Sequence, residues 1–219
     1  MKTVAILSGG LDSTVMVWKL IADRHKVKAL GFNYGQRHVR ELLHAREVAA
    51  RLGIEFRDVD LTSITPLLAG SALTSPEVPV PDDEYKVETI KVLVVPNRNM
   101  IMLAVATGWA TSLKYDSVSY AAHAGDHEVY PDCRPEFTDA LGEAIRLSAM
   151  REVNLLRPFV EMSKAEIVRL GHELGVPFEL TWSCYKGDQV HCGTCPTCVE
   201  RKRAFRDAQV TDPTEYLDG

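Results

Sequence analysis

The pattern of hydrophobic and polar positions divides the chain into short apolar runs that alternate with longer segments of helical periodicity. The apolar runs predict strands at 2–8, 27–34, 55–59, 117–121 and 154–156. The helical patterns predict helices at 13–24, 37–53, 98–113, 135–150 and 163–174. Strands that alternate with helices indicate an α/β fold, a Rossmann-like parallel five-stranded sheet with helices on both faces.

The loops between these elements carry most of the chemistry-bearing residues. Ligands of such sheets bind at the carboxyl ends of the strands. The loops at 8–14, 33–38, 96–100, 121–134 and 181–186 fall there. The irregular, proline-containing segment 62–95 is longer than an ordinary connection and predicts an active-site flap or an interface loop.

Composition narrows the class of protein. The 219 residues are 46% hydrophobic and 25% charged, typical of a soluble globular protein with a substantial core. No apolar run approaches the roughly 20 residues that cross a membrane, and the N-terminus reads as a strand, not a cleavable leader. We therefore expect a cytoplasmic protein, and the net charge of −5 argues against a dedicated nucleic-acid surface.

The segment Ser8–Thr14, with the sequence SGGLDST, directly follows the apolar run Val4–Leu7. Two adjacent glycines permit positive φ and let backbone N–H groups converge on an anion at the start of a helix. The loop has neither the GxxxxGK[ST] pattern nor the GxGxxG pattern, so it predicts a phosphate site of a different kind. The alternative is a tight turn with a helix cap.

Four of the five cysteines crowd into a short C-terminal stretch: Cys184, Cys192, Cys195 and Cys198. Four thiolates at this spacing predict a closed, structural Zn²⁺ site, one per subunit, in a small lobe at 181–219 that packs on the main domain at 1–180. A redox dithiol, a sulfur carrier and an iron–sulfur cluster are the alternatives. His191 is interpreted as a surface residue, and Cys133 as a small loop or core residue.

The other loops supply further candidate groups. For Arg37, beside the phosphate loop, the alternative is a simple surface charge. Lys164 lies in a capping-box pattern from Ser163 to Glu166, and simple helix capping explains this pattern as well as a phosphate-binding role for Lys164 does. Asp126 or Asp132 is a candidate Mg²⁺ contact, and a metal site of His123, Asp126 and His127 is a weaker alternative. The candidates are Tyr34, Gln36, Arg37, Arg98, Asp126, Tyr130, Asp132, Arg134 and Lys164.

Seven sequence blocks carry a resemblance that runs in order along nearly the whole chain. They are SGGLDS (8–13), YGQRH (34–38), VPNRN (95–99), YPDCRxEF (130–137), SKAEI (163–167), TWSCY (181–185) and CGTCPTC (192–198). Taken together, these blocks resemble the 7-cyano-7-deazaguanine synthase family (QueC) of the queuosine pathway, in the PP-loop ATP pyrophosphatase superfamily. Val95-Pro96-Asn97 departs from the more usual Val-Pro-Gly of the family.

The resemblance implies a fold of the adenine nucleotide alpha hydrolase (HUP) type, a homodimer, and a reaction with two rounds of adenylation. ATP with Mg²⁺ activates 7-carboxy-7-deazaguanine, ammonia displaces AMP to give an amide, and a second ATP drives the amide to the nitrile. Ser8, Asp12, Ser13, Arg98 and Lys164 are implied catalytic residues. The implied ATP-binding residues are Leu7, Ser8, Gly9, Gly10, Leu11, Asp12, Ser13, Thr14, Val15, Met16 and Val17.

The same resemblance implies substrate contacts from Tyr34, Gln36, Arg37, Asp126, Tyr130, Asp132 and Arg134, and metal ligation by the four clustered cysteines. Other readings remain open. They are another PP-loop adenylating ligase or sulfurtransferase, a paralogue that transfers the deazaguanine to a different amine, and a zinc-knuckle nucleic-acid-binding module.

Overall fold

The computed structural model of the chain describes residues 1–37, 39–75, 77–82, 91–128, 130–186 and 189–217. Its centre is a five-stranded sheet in the order β3-β2-β1-β4-β5, with every neighbouring pair parallel. The predicted sheet is confirmed. The strands are β1 (Lys2–Ile6), β2 (Lys26–Asn33), β3 (Glu55–Asp60), β4 (Ser117–Ser119) and β5 (Asn154–Leu156).

Helices follow the strands as the sequence pattern predicts. The first helix begins at Leu11, two residues before its predicted start, and the second begins at Arg40, three residues after its predicted start. The last helix was not predicted. The α-helices are α1 (Leu11–Ala22), α2 (Arg40–Leu52), α3 (Arg98–Ser112), α4 (Pro135–Ser148), α5 (Lys164–Glu173) and α6 (Pro196–Ala208).

The core lies on both faces of the sheet because adjacent strand residues point to opposite sides. On β1, Val4 packs into one cluster with Leu103 of α3 and Ile145 of α4. Its neighbour Ala5 packs into the other cluster, which is built from α1, α2, α5 and α6. The central strand is therefore covered on both faces, as parallel sheets require.

The C-terminal segment is anchored to this core by a buried arginine on α6. The Arg201 side chain is fully buried and forms an ion pair with Asp212 at 3.2 Å. Its guanidinium also donates to the Thr181 hydroxyl at 2.7 Å and to the Phe178 carbonyl at 3.3 Å. The arginine thereby joins α6, the 178–183 segment and the C-terminal tail.

The proline-containing segment 62–95 packs on the core over its described part. It contains 3-10 helices at Thr62–Leu68 and Lys91–Leu93, and the Leu73 and Leu93 side chains are buried. Residues 76 and 83–90 of this segment lie outside the described residues. Across the part of the chain that the structure describes, the helices are too short or too polar to cross a membrane.

Candidate active site

An open cavity lies at the carboxyl ends of β1, β2 and β4, where a parallel sheet of this topology receives its ligand. It is lined by the glycine loop after β1, Tyr34 after β2, residues 120–123 after β4, and side chains from α2, α3, α5 and α6. Its empty space is about 1220 Å³, including the part open to solvent. The described residues of the 62–95 segment do not line it.

The loop between β1 and α1 needs a glycine at position 9. Gly9 has φ of 89°, which side chains rarely adopt. A Cβ atom there would lie 2.1 Å from the Glu41 carbonyl oxygen and 2.7 Å from the Ala45 nitrogen, so α2 approaches the loop backbone directly. Helix α1 begins just after Gly10, which places the positive end of its dipole at the cavity.

The loop is held by its own side chains and by a second segment. The Ser13 hydroxyl donates to the Gly10 carbonyl at 3.1 Å and accepts from the Ser8 N–H at 3.2 Å. On the other side, the Trp182 N–H donates to the Gly9 carbonyl at 2.9 Å. The predicted phosphate loop is thus fixed between α2 and the 181–183 segment.

A cluster of charged side chains sits beside this loop. The Lys164 ammonium, from the start of α5, lies 3.1 Å from Asp12 Oδ2 and 2.8 Å from Glu200 Oε2. His123 Nε2 lies 3.8 Å from Asp12 Oδ2 and 3.5 Å from Asp126 Oδ2. Asp12 Oδ1 is buried and has no hydrogen-bond partner among the described residues. The cluster therefore places one cation among three carboxylates at the phosphate loop.

The charges in this cluster stabilise one another. Burial alone would raise the pKa of Asp12, but Lys164 and His123 hold that pKa below its usual value. Burial alone would lower the pKa of Lys164, but Asp12, Glu200 and Asp126 raise it. Burial raises the pKa of Asp126. At neutral pH, Asp12 is therefore a carboxylate and Lys164 an ammonium.

Arg98, at the start of α3, lines another part of the cavity wall. Its guanidinium donates to the Tyr34 hydroxyl at 3.2 Å and stacks over the Tyr34 ring at 5.6 Å. Tyr130 and Tyr185 also line the cavity. An arginine framed by aromatic rings can bind a planar heterocycle that carries a carboxylate.

The turn before Arg98 explains the departure from the Val-Pro-Gly pattern. Asn97 has φ of 57°, in the left-handed region that glycine adopts freely and asparagine tolerates. The Asn97 side chain makes no capping hydrogen bond, and the Asp132 carboxylate instead accepts the Asn99 N–H at 3.2 Å.

Several residues assigned to the substrate lie apart from the cavity or are engaged elsewhere. The Arg37 guanidinium donates to the carbonyls of Ser75 and Val78, and that of Arg134 donates to the His127 carbonyl. Neither arginine lines the cavity, and neither does Asp132. Gln36 lines the cavity, but its amide bonds to backbone groups at the end of β2.

The residues assigned to ATP fall into two groups, those that line the cavity and those that lie in the core. Leu7, Ser8, Gly10, Leu11, Asp12 and Ser13 line the cavity. Val15, Met16 and Val17 are fully buried in the core on α1, and Thr14 is buried. The assignments of these residues remain predictions. His38, from the YGQRH block, lies outside the described residues.

Sequence reasoning gave no role to two carboxylates that the structure brings into the cavity. Glu200 contributes from α6, the helix that was not predicted. Glu41 contributes from the first turn of α2. Burial raises the pKa of Glu41 to about 8, although the Arg98 charge lowers it. The sequence signal that could have identified Glu200 is its position three residues after Thr197, because this spacing puts both side chains on one face of a helix.

The four clustered cysteines form a metal-binding arrangement. Their sulfur atoms are buried and lie within 4.8 Å of one another, and the sulfurs of Cys192 and Cys198 are 3.9 Å apart. Zn–S bonds of about 2.3 Å in a tetrahedron imply sulfur–sulfur edges of about 3.8 Å, so the arrangement fits four-coordinate binding. The Cys195 N–H donates to the Cys192 sulfur at 3.3 Å, as backbone groups do to thiolates.

The interpretation of His191 as a surface residue was wrong. The ring is buried and packs against Trp182 with centroids 4.2 Å apart. Its Nε2 accepts the Ser183 N–H at 3.0 Å, and burial lowers its pKa to about 4. The histidine is therefore neutral and braces the segment that holds the phosphate loop. Cys133 is buried, as predicted for a small core residue.

The sheet order and the glycine loop after β1 define a class: α/β proteins with a Rossmann-like parallel five-stranded sheet. Solved structures with this fold include the U34-tRNA thiolase NcsA from Methanococcus maripaludis (TM-score 0.54, 18% identity, 81% of this chain and 58% of that one). Another is NMN synthetase from Francisella tularensis (TM-score 0.53, 19% identity, 85% and 68%). At these identities the likeness concerns the fold alone.

The family is narrower than the class. Residues 2–209 match the family model described as "Queuosine biosynthesis protein QueC". Similar curated proteins include the 7-cyano-7-deazaguanine synthase of Allorhizobium ampelinum, 51% identical over all of this chain and 93% of that protein. That of Brucella anthropi is 48% identical over 100% and 94%. The chain belongs to the QueC family.

Proposed function

We propose that the protein converts 7-carboxy-7-deazaguanine and ammonia to 7-cyano-7-deazaguanine at the expense of ATP, with release of AMP and pyrophosphate. The acid is first adenylated, ammonia displaces AMP to give the amide, and the amide is adenylated and loses AMP to leave the nitrile. The observation that carries the proposal is the shared cavity, in which the SGGLDS loop and Arg98 face one space.

The loop suits the departure of pyrophosphate. Backbone N–H groups at the start of α1 and the Lys164 ammonium present fixed positive charge where phosphate oxygens would accumulate negative charge. Asp12, with its unengaged Oδ1, and Asp126 are the groups we assign to Mg²⁺. Bound Mg²⁺ supplies Lewis-acid stabilisation of the phosphates.

The aromatic part of the cavity suits the heterocyclic acid. Arg98 would bind the carboxylate or the adjacent ring oxygen, and Tyr34, Tyr130 and Tyr185 would contact the flat ring. A carboxylate is a poor electrophile because its leaving group would be oxide. Transfer of the adenylyl group from ATP to the carboxylate makes AMP the leaving group of the resulting mixed anhydride.

We further propose that Cys184, Cys192, Cys195 and Cys198 hold one structural Zn²⁺, as the buried four-sulfur set favours. Cytoplasmic location, a homodimer and the absence of nucleic-acid binding also remain proposals. Another PP-loop adenylating ligase or sulfurtransferase is the competing activity, and a deazaguanine-transferring paralogue is a variant of the proposed one.

The test is an assay that resolves each product. Purified protein is incubated with ATP, Mg²⁺, ammonium and 7-carboxy-7-deazaguanine, and nucleotides, pyrophosphate, amide and nitrile are separated by chromatography and mass. We expect AMP, pyrophosphate and nitrile, with the amide as an intermediate. ADP with phosphate, or no turnover that depends on the acid, contradicts the proposal.

A matched pair of variants on α1 ties the activity to the loop. Asp12→Asn removes a charge beside Lys164 without changing side-chain size. Loss of one preorganised electrostatic group costs about 10²–10³-fold in rate. Asp23→Asn, at the exposed end of the same helix, should retain wild-type activity. Equal activity of the two variants would contradict the placement of ATP at this loop.

A further inference from the structure

The cavity contains a carboxylate that the phosphate chemistry does not use. Asp12, Asp126 and Glu200 gather around Lys164 and His123. Glu41 comes from a separate element, the first turn of α2. Its electrostatic neighbours are Arg98 from α3, Tyr34 after β2 and Tyr185 from the C-terminal lobe.

The position of Glu41 joins the two functional parts of the cavity. Its backbone carbonyl lies against Gly9, so close that a Cβ atom on that glycine would be 2.1 Å away. Its side-chain charge acts on Arg98, the residue assigned to the acid. The reacting carbonyl would lie between the α-phosphate at the loop and the ring at Arg98, and Glu41 lines the cavity that the loop and Arg98 share.

We propose that Glu41 is the proton acceptor for the ammonia-dependent steps, an inference that rests on the proposed function. In the first step the N–C bond forms, the C–O bond to AMP breaks, and a proton leaves nitrogen for the Glu41 carboxylate. In the second, the adenylated amide loses AMP and two protons to leave the nitrile. Adenylation by a carboxylate releases no proton and needs no such group.

Electrostatics agree with this role. Burial raises the pKa of Glu41 to about 8, even though Arg98 lowers it. A carboxylate with a pKa near the working pH accepts a proton from nitrogen more readily than an ordinary glutamate does. Tyr34 and Tyr185 have raised pKa values because they are buried, so both stay neutral where Glu41 titrates.

The test separates adenylation from amide formation with Glu41→Gln, which keeps the size of the side chain. We expect the first-turnover burst of pyrophosphate release that depends on the acid to stay within about twofold of wild type, while amide formation falls about 10²-fold or more. Glu47→Gln, on the exposed side of α2, is the matched control and should leave both rates unchanged.

A weaker base as nucleophile distinguishes proton transfer from positioning. The N-protonated adduct formed by hydroxylamine is a stronger acid than the one formed by ammonia and loses its proton to water more readily, so Glu41→Gln should form the hydroxamate at a rate close to wild type. The wild-type pH profile with ammonia should also show a rise near the Glu41 pKa that the variant lacks.

The outcomes are separable from those of the proposed function. If Glu41→Gln slows adenylation and hydroxamate formation as much as amide formation, the residue positions the substrate and the inference is overturned. Unchanged amide formation also overturns it. Absence of acid-dependent turnover in the wild type contradicts the proposed function itself.

Discussion

Gly9→Ala probes the contact between the phosphate loop and α2. The added Cβ would meet the Glu41 carbonyl oxygen at 2.1 Å and the Ala45 nitrogen at 2.7 Å. Both are backbone atoms of α2, so they cannot rotate away. The loop or the helix must shift.

Two costs combine at this position. A non-glycine residue at φ of 89° costs about 1–2 kcal/mol, and overpacking costs about 1–3 kcal/mol. Alanine also reduces the entropy of the unfolded chain, which returns about 0.4–1 kcal/mol. We expect the free energy of unfolding to fall by about 2–4 kcal/mol, and Tm to fall by about 5–15 °C for a chain of this size.

Gly53→Ala is the matched control. Gly53 has φ of 63° and nothing lies within 4 Å of its added Cβ, so this variant carries the conformational cost without the clash. Thermal unfolding of both variants isolates the contact, and the pyrophosphate-release assay reports on the loop. If the two variants unfold at the same temperature, the close approach of α2 to the loop is wrong. Full pyrophosphate release by Gly9→Ala would refute the requirement for this loop geometry.

Two further predictions concern the C-terminal part. Cys198→Ser should lower the bound zinc well below the wild-type content, measured by elemental analysis, because a four-sulfur site loses a ligand. Cys133→Ser, outside the cluster, should retain the wild-type zinc content. Equal zinc contents in the two variants would contradict the assignment. Arg201→Met should reduce the free energy of unfolding in urea by about 3 kcal/mol, since it leaves the Asp212 carboxylate without its cationic partner. Arg203→Met, whose side chain is 66% exposed, should change it by less than about 0.5 kcal/mol, and similar losses in both would refute the role of the buried pair.

Local patterns predicted the elements whose causes are local. Strand runs, helical periodicity and the two glycines after β1 each act within a few residues, and the structure has the sheet, the helices and the turn there. The capping box at Ser163 and Glu166 is present for the same reason. The cysteine spacing was likewise enough to bring four sulfurs together.

Long-range packing decided what the sequence could not predict. Glu200 enters the cavity only because α6 packs beside α5, and Arg37 is directed away from the cavity because the Ser75 and Val78 carbonyls accept its hydrogen bonds. His191 is buried because it packs against Trp182 and accepts the Ser183 N–H. The first two outcomes depend on partners distant in sequence, and the third depends on a loop contact; periodicity records none of these contacts.

Helix α6 begins in the cysteine cluster and continues along the cavity wall. Cys195 and Cys198 flank Thr197, and Glu200 follows one turn after Thr197, so two of the clustered cysteines and two cavity residues lie together at the start of this helix. A change in the register or tilt of this helix therefore moves both at once. An engineer who wishes to reshape the pocket would find this wall hard to adjust, because a substitution there also disturbs the cysteine cluster.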